Sequence, residues 1–181
     1  MLSRKNKCPN DNLKKIFKRI DNEQDFLLFR CFSLIKILMI KIFEISEADD
    51  ATLEGVNRLL PQLSKSAKLI SLNTLQKLSN SECTRLYVAK EGDFIFGMLS
   101  LVVFSIPTGT KAWIEDVVVD EGARGKGVGS KLMEHALDVA KELGAKSADL
   151  TSRPSREAAN KLYQTIGFET RETNVYRYKT S

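Results

Sequence analysis

A basic, glycine-rich loop in the second half of the chain is the first indication of chemistry. Arg124 and Lys126 lie in this loop, and three glycines occupy alternate positions, Gly125, Gly127 and Gly129. Because helical periodicity resumes at Val128, the loop leads into the unpaired N–H groups and the positive dipole end of a helix. The pattern therefore predicts an anion site of the size of a phosphate group. The alternative is a loose surface turn whose basic side chains have no role.

Two common phosphate-binding motifs are excluded by the order of residues in this loop. A Walker loop needs Gly-Lys followed by Ser or Thr, and that order is absent. The alternate glycines also lack the spacing of the dinucleotide-binding fingerprint, and no acidic partner for a ribose is evident. The loop therefore matches neither of these two motifs, and both the anion site and the loose surface turn remain open.

Hydrophobic periodicity predicts one α/β domain over residues 39–181, with helices beside a mixed sheet. Asp49 or Asp50 is expected to cap the first helix, which ends near Pro61, and Asn73 or Thr74 the second. Strands are predicted over residues 40–45, 85–90, 94–104, 113–119, 147–151 and 175–179, with a short extended segment at 168–169. Helices are predicted over residues 50–61, 69–78, 128–143 and 157–166.

Three motifs in the expected order make residues 40–179 similar to the GNAT superfamily of N-acetyltransferases. Arg124, Gly127 and Gly129 match the superfamily signature Arg/Gln-x-x-Gly-x-Gly/Ala, and the segments 113–119 and 159–168 are also typical of it. The resemblance implies a mixed, mostly antiparallel sheet whose signature strand and following strand splay apart. It also implies that acetyl-CoA binds in the resulting cleft as a co-substrate.

The same resemblance implies a set of acetyl-CoA contacts. The pyrophosphate is expected on the N–H groups of residues 124–129, and the pantetheine arm is expected to run antiparallel along residues 117–119. Many relatives carry a cofactor-binding Asn where this chain has Arg156, and Asn160 lies four residues later. The expected contacts are Val117, Val118, Val119, Arg124, Gly125, Lys126, Gly127, Val128, Gly129, Arg156 and Asn160.

Direct attack of a primary amine on the thioester needs a proton acceptor and a proton donor. Glu115 is the predicted base. Asp116 is the alternative base, because a bulge in the strand would exchange the sheet faces on which the two side chains lie. Pairing with a Lys or Arg of a neighbouring strand is the alternative role for Glu115. The resemblance implies that Tyr163 protonates the departing thiolate, and the alternative is a core tyrosine. An N–H near Val117 or Val118 is expected to stabilise the charge on the carbonyl oxygen.

Charge and composition exclude several classes of partner. Residues 1–38 carry nine basic and four acidic residues, whereas residues 39–181 carry nineteen of each, so the net charge of +5 belongs to the extension. No nucleic-acid partner is therefore expected for the body of the chain. Three cysteines and a single histidine, His135, argue against a disulfide framework or a metal site. A reducing, cytoplasmic setting is expected.

Residues 1–38 are predicted to be a basic extension that is disordered or not part of the natural protein, with Met39 as the natural start. An amphipathic basic helix over residues 13–20 is the alternative, as a presequence, a membrane-surface helix or a partner-binding arm. Arg30 and Lys36 interrupt the apolar stretch that follows, so no membrane span and no membrane partner are expected.

The acceptor is expected to be a small-molecule amine, because the body of the chain is short and has no appended recognition domain. A peptide or protein amine is the first alternative, and a non-catalytic CoA-binding regulatory module is the second. A monomer or a homodimer is expected.

Overall fold

The computed structural model describes residues 40–180, so the predictions for residues 1–38 lie outside it. The strands are β1 Lys41–Glu44, β2 Thr84–Glu91, β3 Phe94–Ile106, β4 Gly109–Val119 and β5 Ala148–Leu150. The helices are α1 Asp50–Leu63, α2 Leu72–Ser79, α3 Val128–Glu142 and α4 Glu157–Ile166. A short 3₁₀ turn, Glu121–Ala123, joins β4 to the loop before α3.

The strands form one sheet in the order β1-β2-β3-β4-β5. The first four strands are antiparallel neighbours, and β5 pairs with β4 in parallel. The predicted fold class, a mixed and mostly antiparallel sheet flanked by helices, is confirmed. A parallel partner needs a crossover connection, and α3 supplies it between β4 and β5.

Both faces of β2 and β3 are covered by helices. On one face, Val56 and Leu59 of α1 belong to a buried cluster with Val88 of β2 and Met98 of β3. On the other face lies α3, whose fully buried Leu132 comes within 3.1 Å of the position that a Cβ on Gly97 would occupy. Burial on both faces fixes the position of β3, and β4 pairs with β3 along its edge.

The two helix-cap predictions had different outcomes. Asp49, one of the two predicted candidates, caps α1 by accepting a hydrogen bond from the backbone N–H of Thr52. The helix was expected to end near Pro61, but it continues through Pro61 to Leu63. The cap predicted for α2 was wrong, because Ser71 holds that position.

The predicted strand over residues 175–179 is absent, which corrects the sequence interpretation of the C-terminal segment. After β5 the described chain contains no further strand. Val175, Tyr176 and Tyr178 are 72%, 89% and 89% exposed. Alternating β-branched and aromatic residues favour a strand only where a neighbouring strand completes the hydrogen-bond ladder, and here no neighbour pairs with them. Among residues 40–180 no helix is long and apolar enough to cross a membrane.

Candidate active site

A cleft opens where β4 loses its partner on one side. Three residues of β4, Ala112, Trp113 and Ile114, pair with β5, which then ends at Leu150. β4 continues to Val119, still paired with β3 on its other edge. The edge of residues 115–119 that would face β5 is therefore open, as expected for splayed strands.

A bulge lies in this open half of β4. Ser100 pairs with Glu115 and Met98 with Val118, so Asp116 and Val117 share the space opposite a single residue of β3. Asp116 has φ 55°, which makes it the one non-glycine residue of the described chain with a positive φ. The register leaves Asp116 and Val117 unpaired with β3, and β5 no longer runs beside them. The peptide groups of this segment that face away from β3 are thus available to a ligand.

The three glycines of the loop meet three local requirements. Gly125 and Gly127 have φ 72° and 79°, and a Cβ on either would have no atom within 4 Å. Gly127 is the N-cap of α3 and offers no side chain to the first helical N–H groups. A Cβ on Gly129 would lie 3.0 Å from Cδ2 of Leu162, so this glycine lets α3 and α4 approach each other. Gly125 and Gly127 thus leave open space above the N-terminus of α3, whereas Gly129 allows close packing of α3 against α4.

Helix α1 holds the end of β4 in place. Arg58 forms an ion pair with Asp120, and its guanidinium lies 4.0 Å from the ring centroid of Phe94. Gln62 donates a hydrogen bond to Asp120 over 3.2 Å and accepts one from the backbone N–H of Glu121 over 2.9 Å. The loop before α3 is therefore anchored from a helix far away in sequence. No motif indicated Arg58 and Gln62, because their role depends on a tertiary contact.

The cofactor cleft, as we call it, is a cavity of about 930 Å³ between β4, α3 and α4. It brings together nine of the eleven predicted acetyl-CoA contacts: Val117, Val118, Val119, Arg124, Gly125, Gly127, Val128, Gly129 and Arg156. The other two lie elsewhere. Lys126 donates from Nζ to the carbonyl of Gly122 over 2.7 Å. Asn160 donates its side-chain amide to the carbonyl of Arg153 over 2.9 Å and lines a different cavity.

Arg156 connects α4 to α1 across the mouth of the cofactor cleft. It lies at the N-cap position of α4, and its Nη2 donates to the carbonyl of Leu63 over 2.6 Å. Leu63 is the last residue of α1 and also lines the cleft. The sequence indicated Arg156 as a cofactor contact but gave no sign of this bridge.

Tyr163 reaches the cleft from α4 and is 7% exposed. Burial raises its pKa above 10.0, with the charge of Arg156 acting against the rise and that of Glu115 adding to it. In the described residues its hydroxyl has no hydrogen-bond partner, although its ring contacts Phe168 at 6.0 Å between centroids. The phenol is thus protonated near neutral pH and free to donate.

The two candidate bases have different surroundings. Glu115 accepts a hydrogen bond from Nε1 of Trp113 over 2.6 Å, so it is held by an indole rather than by a Lys or Arg. Loss of surrounding water raises the pKa of Asp116 above 3.8, Glu115 adds to the rise, and Arg156 opposes it. Asp116, Glu115, Arg156 and Tyr163 therefore belong to one electrostatic group.

A second cavity, of about 970 Å³, lies on the far side of Tyr163. Trp113 lines it from β4, and the chain from β5 to Ser152 forms one wall. Tyr163 is part of the wall of both cavities. Across residues 40–180 no cluster of metal-binding side chains is present.

Comparison with known proteins agrees with this geometry. Residues 53–168 match the acetyltransferase (GNAT) family. N-alpha-acetyltransferase 30 of Schizosaccharomyces pombe is 31% identical over 94 residues, which cover 51% of this chain and 61% of that protein. The match thus spans less than two thirds of the relative.

Two solved structures share the fold. An aminoglycoside acetyltransferase from an uncultured soil metagenomic sample is 23% identical with a TM-score of 0.69, covering 80% of this chain and 97% of that one. AAC(6')-Iy, in complex with the bisubstrate analogue CoA-S-monomethyl-acetylneamine, is 16% identical with a TM-score of 0.65, covering 78% and 99%. The family match, the sheet and the open edge of β4 lead to one conclusion: this chain belongs to the acetyltransferase (GNAT) family.

Proposed function

We propose that this enzyme binds acetyl-CoA in the cofactor cleft and transfers its acetyl group to a primary amine. The observation that carries the proposal is the open edge of β4, whose residues 117–119 meet the N-terminus of α3 and Tyr163 in one cavity. An extended pantetheine arm adds to an open strand edge through backbone hydrogen bonds. The pyrophosphate then lies above Gly125 and Gly127, where free N–H groups and open space coincide.

In the proposed reaction the amine nitrogen forms a bond to the thioester carbonyl carbon, and the carbon–sulfur bond breaks. The carbonyl oxygen gains negative charge before the sulfur leaves, and a backbone N–H at the bulge near Val117 is the proposed donor to it. The departing thiolate takes a proton from the Tyr163 hydroxyl. The amine gives up its proton to Glu115 or Asp116, directly or through water. Holding both reactants in line supplies the remainder of the acceleration.

Asp116 is the stronger of the two candidate bases in this arrangement. Among the described residues its carboxylate has no hydrogen-bond partner, whereas Glu115 is occupied by Trp113. Its raised pKa brings it closer to the pKa that a general base needs near neutral pH. A bulge is the condition under which Asp116 was expected to replace Glu115, and the bulge is present at Asp116, although neither carboxylate is among the residues that line the cofactor cleft.

We propose a small molecule as the acceptor. The test is a panel of small amines and short peptides with free N-termini, incubated with acetyl-CoA and followed by release of the CoA thiol. Thiol release with small amines supports the proposal, and release with peptides alone contradicts it. Saturable acetyl-CoA binding in a thermal-shift assay without turnover of any acceptor would indicate a regulatory module.

A second acceptor class follows from the relative in fission yeast. Its name denotes transfer to an α-amine, and its identity of 31% over 94 residues is higher than that of the aminoglycoside enzyme. The amine of a peptide N-terminus is therefore the second candidate. Because both classes present a primary amine to the same thioester, the chemistry of Tyr163 and Asp116 is common to them.

A further inference from the structure

Acetyl-CoA carries two separate anionic groups, a pyrophosphate and a phosphate on the 3′ position of its ribose. The proposed function assigns the pyrophosphate to the N-terminus of α3 and leaves the 3′-phosphate without a partner. A phosphate monoester carries about two negative charges near neutral pH, and proteins hold such groups chiefly with Lys and Arg side chains. The cations around the cofactor cleft are therefore the candidates to bind the 3′-phosphate.

Three cationic side chains line the cofactor cleft: Arg124, Arg156 and Lys161. Both arginines already bond to backbone carbonyls of the protein. Nε of Arg124 donates to the carbonyl of Val119 over 3.2 Å, and Nη2 of Arg156 donates to that of Leu63 over 2.6 Å. Within residues 40–180 the ammonium group of Lys161 has neither a hydrogen bond nor an ion pair. All three of its N–H donors are thus available to a ligand.

Lys161 lies on a side of α4 that borders the N-terminus of α3. Four residues of α4 have the spacing of one helix face and line the cofactor cleft: Ala158, Lys161, Leu162 and Thr165. Within this face Leu162 packs on α3, with its Cδ2 3.0 Å from the position that a Cβ on Gly129 would occupy. Gly129 is the second residue of α3. Lys161 therefore lies beside the helix end at which we propose that the pyrophosphate binds.

One acidic side chain, Glu157, also lines the cofactor cleft, one helical turn before Lys161. It belongs to the first turn of α4, where a carboxylate interacts favourably with the helix dipole. Among the described residues no ion pair joins Glu157 to Lys161, so the ammonium charge is not neutralised. Because Glu157 lies toward the N-terminal end of α4, an anion is better placed on the side of Lys161 that faces Thr165.

We propose that Lys161 binds the 3′-phosphate of CoA and so makes the enzyme distinguish CoA from 3′-dephospho-CoA. The inference rests on the acetyl-CoA binding proposed above and adds to it a residue that determines specificity for the co-substrate. The backbone N–H groups of α3 bind the pyrophosphate, which both compounds carry, so they do not discriminate between them. The discrimination depends on a side chain.

The test compares CoA with 3′-dephospho-CoA by calorimetric titration of the full-length protein at low ionic strength. Lys161→Gln removes the charge and keeps a polar side chain that favours a helix, whereas Lys161→Arg keeps the charge. Lys141→Gln is the matched control, because Lys141 is an exposed lysine of α3 that lines neither cavity.

We expect the wild type to bind CoA about three- to tenfold more tightly than 3′-dephospho-CoA, a modest preference because Lys161 is exposed. Lys161→Gln should lose the preference through weaker binding of CoA alone. Lys161→Arg and Lys141→Gln should keep it. Added salt should reduce the preference of the wild type, because it screens an exposed charge. The thermal midpoint of ligand-free Lys161→Gln should match that of the wild type, which separates lost recognition from lost folding.

Three results would overturn the inference. They are equal binding of the two compounds by the wild type, an equal loss of affinity for both in Lys161→Gln, and a preference for CoA that survives Lys161→Gln. The second of these would mean that Lys161 contacts the pyrophosphate. In each case CoA still binds, so the proposed function stands. Absence of saturable CoA binding to the wild type would instead contradict the proposed function, and the inference with it.

Discussion

The two cavities on either side of Tyr163 are built from different parts of the chain. In the cofactor cleft the open edge of β4, the loop glycines and the N-terminus of α3 present backbone groups. The second cavity is lined by Trp113 of β4 and by residues of β5, α4 and the segment that follows α4. A substitution alters a side chain but leaves the backbone groups at the same position, so substitutions that line the second cavity should change that cavity more than equivalent substitutions change the cofactor cleft.

The largest effect is expected from Tyr163→Phe, because Tyr163 belongs to both cavities. Loss of the proton donor should lower kcat by about 10²- to 10⁴-fold, while KM for acetyl-CoA changes little. The thermal midpoint should stay close to that of the wild type, since the hydroxyl has no hydrogen bond to lose within residues 40–180. Steady-state kinetics and a melting curve measure the two quantities.

Tyr87→Phe is the control for Tyr163→Phe. Tyr87 is also buried, but its hydroxyl donates to Glu44 over 3.2 Å, away from both cavities. Tyr87→Phe should leave kcat unchanged and lower stability by about 0.5–1.5 kcal/mol. Full activity of Tyr163→Phe would show that water protonates the thiolate.

An intermediate effect, confined to the cofactor cleft, is expected from Gly127→Ala. A left-handed conformation costs a residue with a Cβ about 1–2 kcal/mol. The protein can relieve this strain by moving the N-terminus of α3, which would weaken acetyl-CoA binding. If the whole cost appears as lost binding energy, affinity falls about five- to thirtyfold. Calorimetric titration with CoA measures the loss.

Gly144→Ala is the matched control for the cleft glycine. Gly144 has φ 75° against 79° for Gly127, and a Cβ on either has no atom within 4 Å. It follows the other end of α3, so both substitutions should lower the free energy of unfolding by about 1–2 kcal/mol. CoA affinity should fall in Gly127→Ala alone. An equal fall of CoA affinity in both variants would mean that binding depends on the stability of the fold and not on the local geometry at Gly127.

The smallest effect is expected from Arg156→Gln, which tests the electrostatic group formed by Arg156, Asp116, Glu115 and Tyr163. The positive charge of Arg156 lowers the pKa values of Asp116 and Tyr163, so its removal raises both. A base with a higher pKa is deprotonated only at higher pH, and the acid limb of kcat/KM should therefore move upward. The loss on that limb should be at most about fivefold.

Arg156→Lys keeps the positive charge and serves as the comparison in the pH profile. Its acid limb should lie closer to that of the wild type than the limb of Arg156→Gln does. If the acid limb of kcat/KM shifts equally in both variants, the shift comes from loss of the hydrogen bond to the carbonyl of Leu63 and not from loss of the charge.

Local patterns were sufficient for most of the fold. β-branched and aromatic runs predicted strands that became β1 to β5, and helical spacing with glycine stops predicted α3 and α4. The C-terminal strand failed because pairing depends on a partner, and no periodicity within residues 175–179 reports whether one exists. Pro61 likewise suggested a helix end, yet α1 continues for two residues beyond it.

The cofactor cleft was predictable because its components are local: a strand, a glycine loop and a helix start within residues 113–129. The bridge from Arg156 to Leu63 spans 93 residues, so no sequence window contains both partners. The bulge at Asp116 was foreseen as an alternative, and aspartate adopts a positive φ more readily than most residues, but that tendency does not select this aspartate among the others of the chain. Long-range contacts and local strain are thus what the sequence left undetermined.

The anchoring of the loop by Arg58, Gln62 and Asp120 has a consequence for protein motion. These side chains join the second half of α1 to the loop before α3, with Asp120 also accepting from the N–H of Gly122. Segments joined in this way open together, so amide hydrogen exchange in α1 and in residues 120–123 should occur as one cooperative unit. CoA bound above the loop should then slow exchange along α1 beyond Gln62 and Leu63, the two α1 residues that line the cofactor cleft.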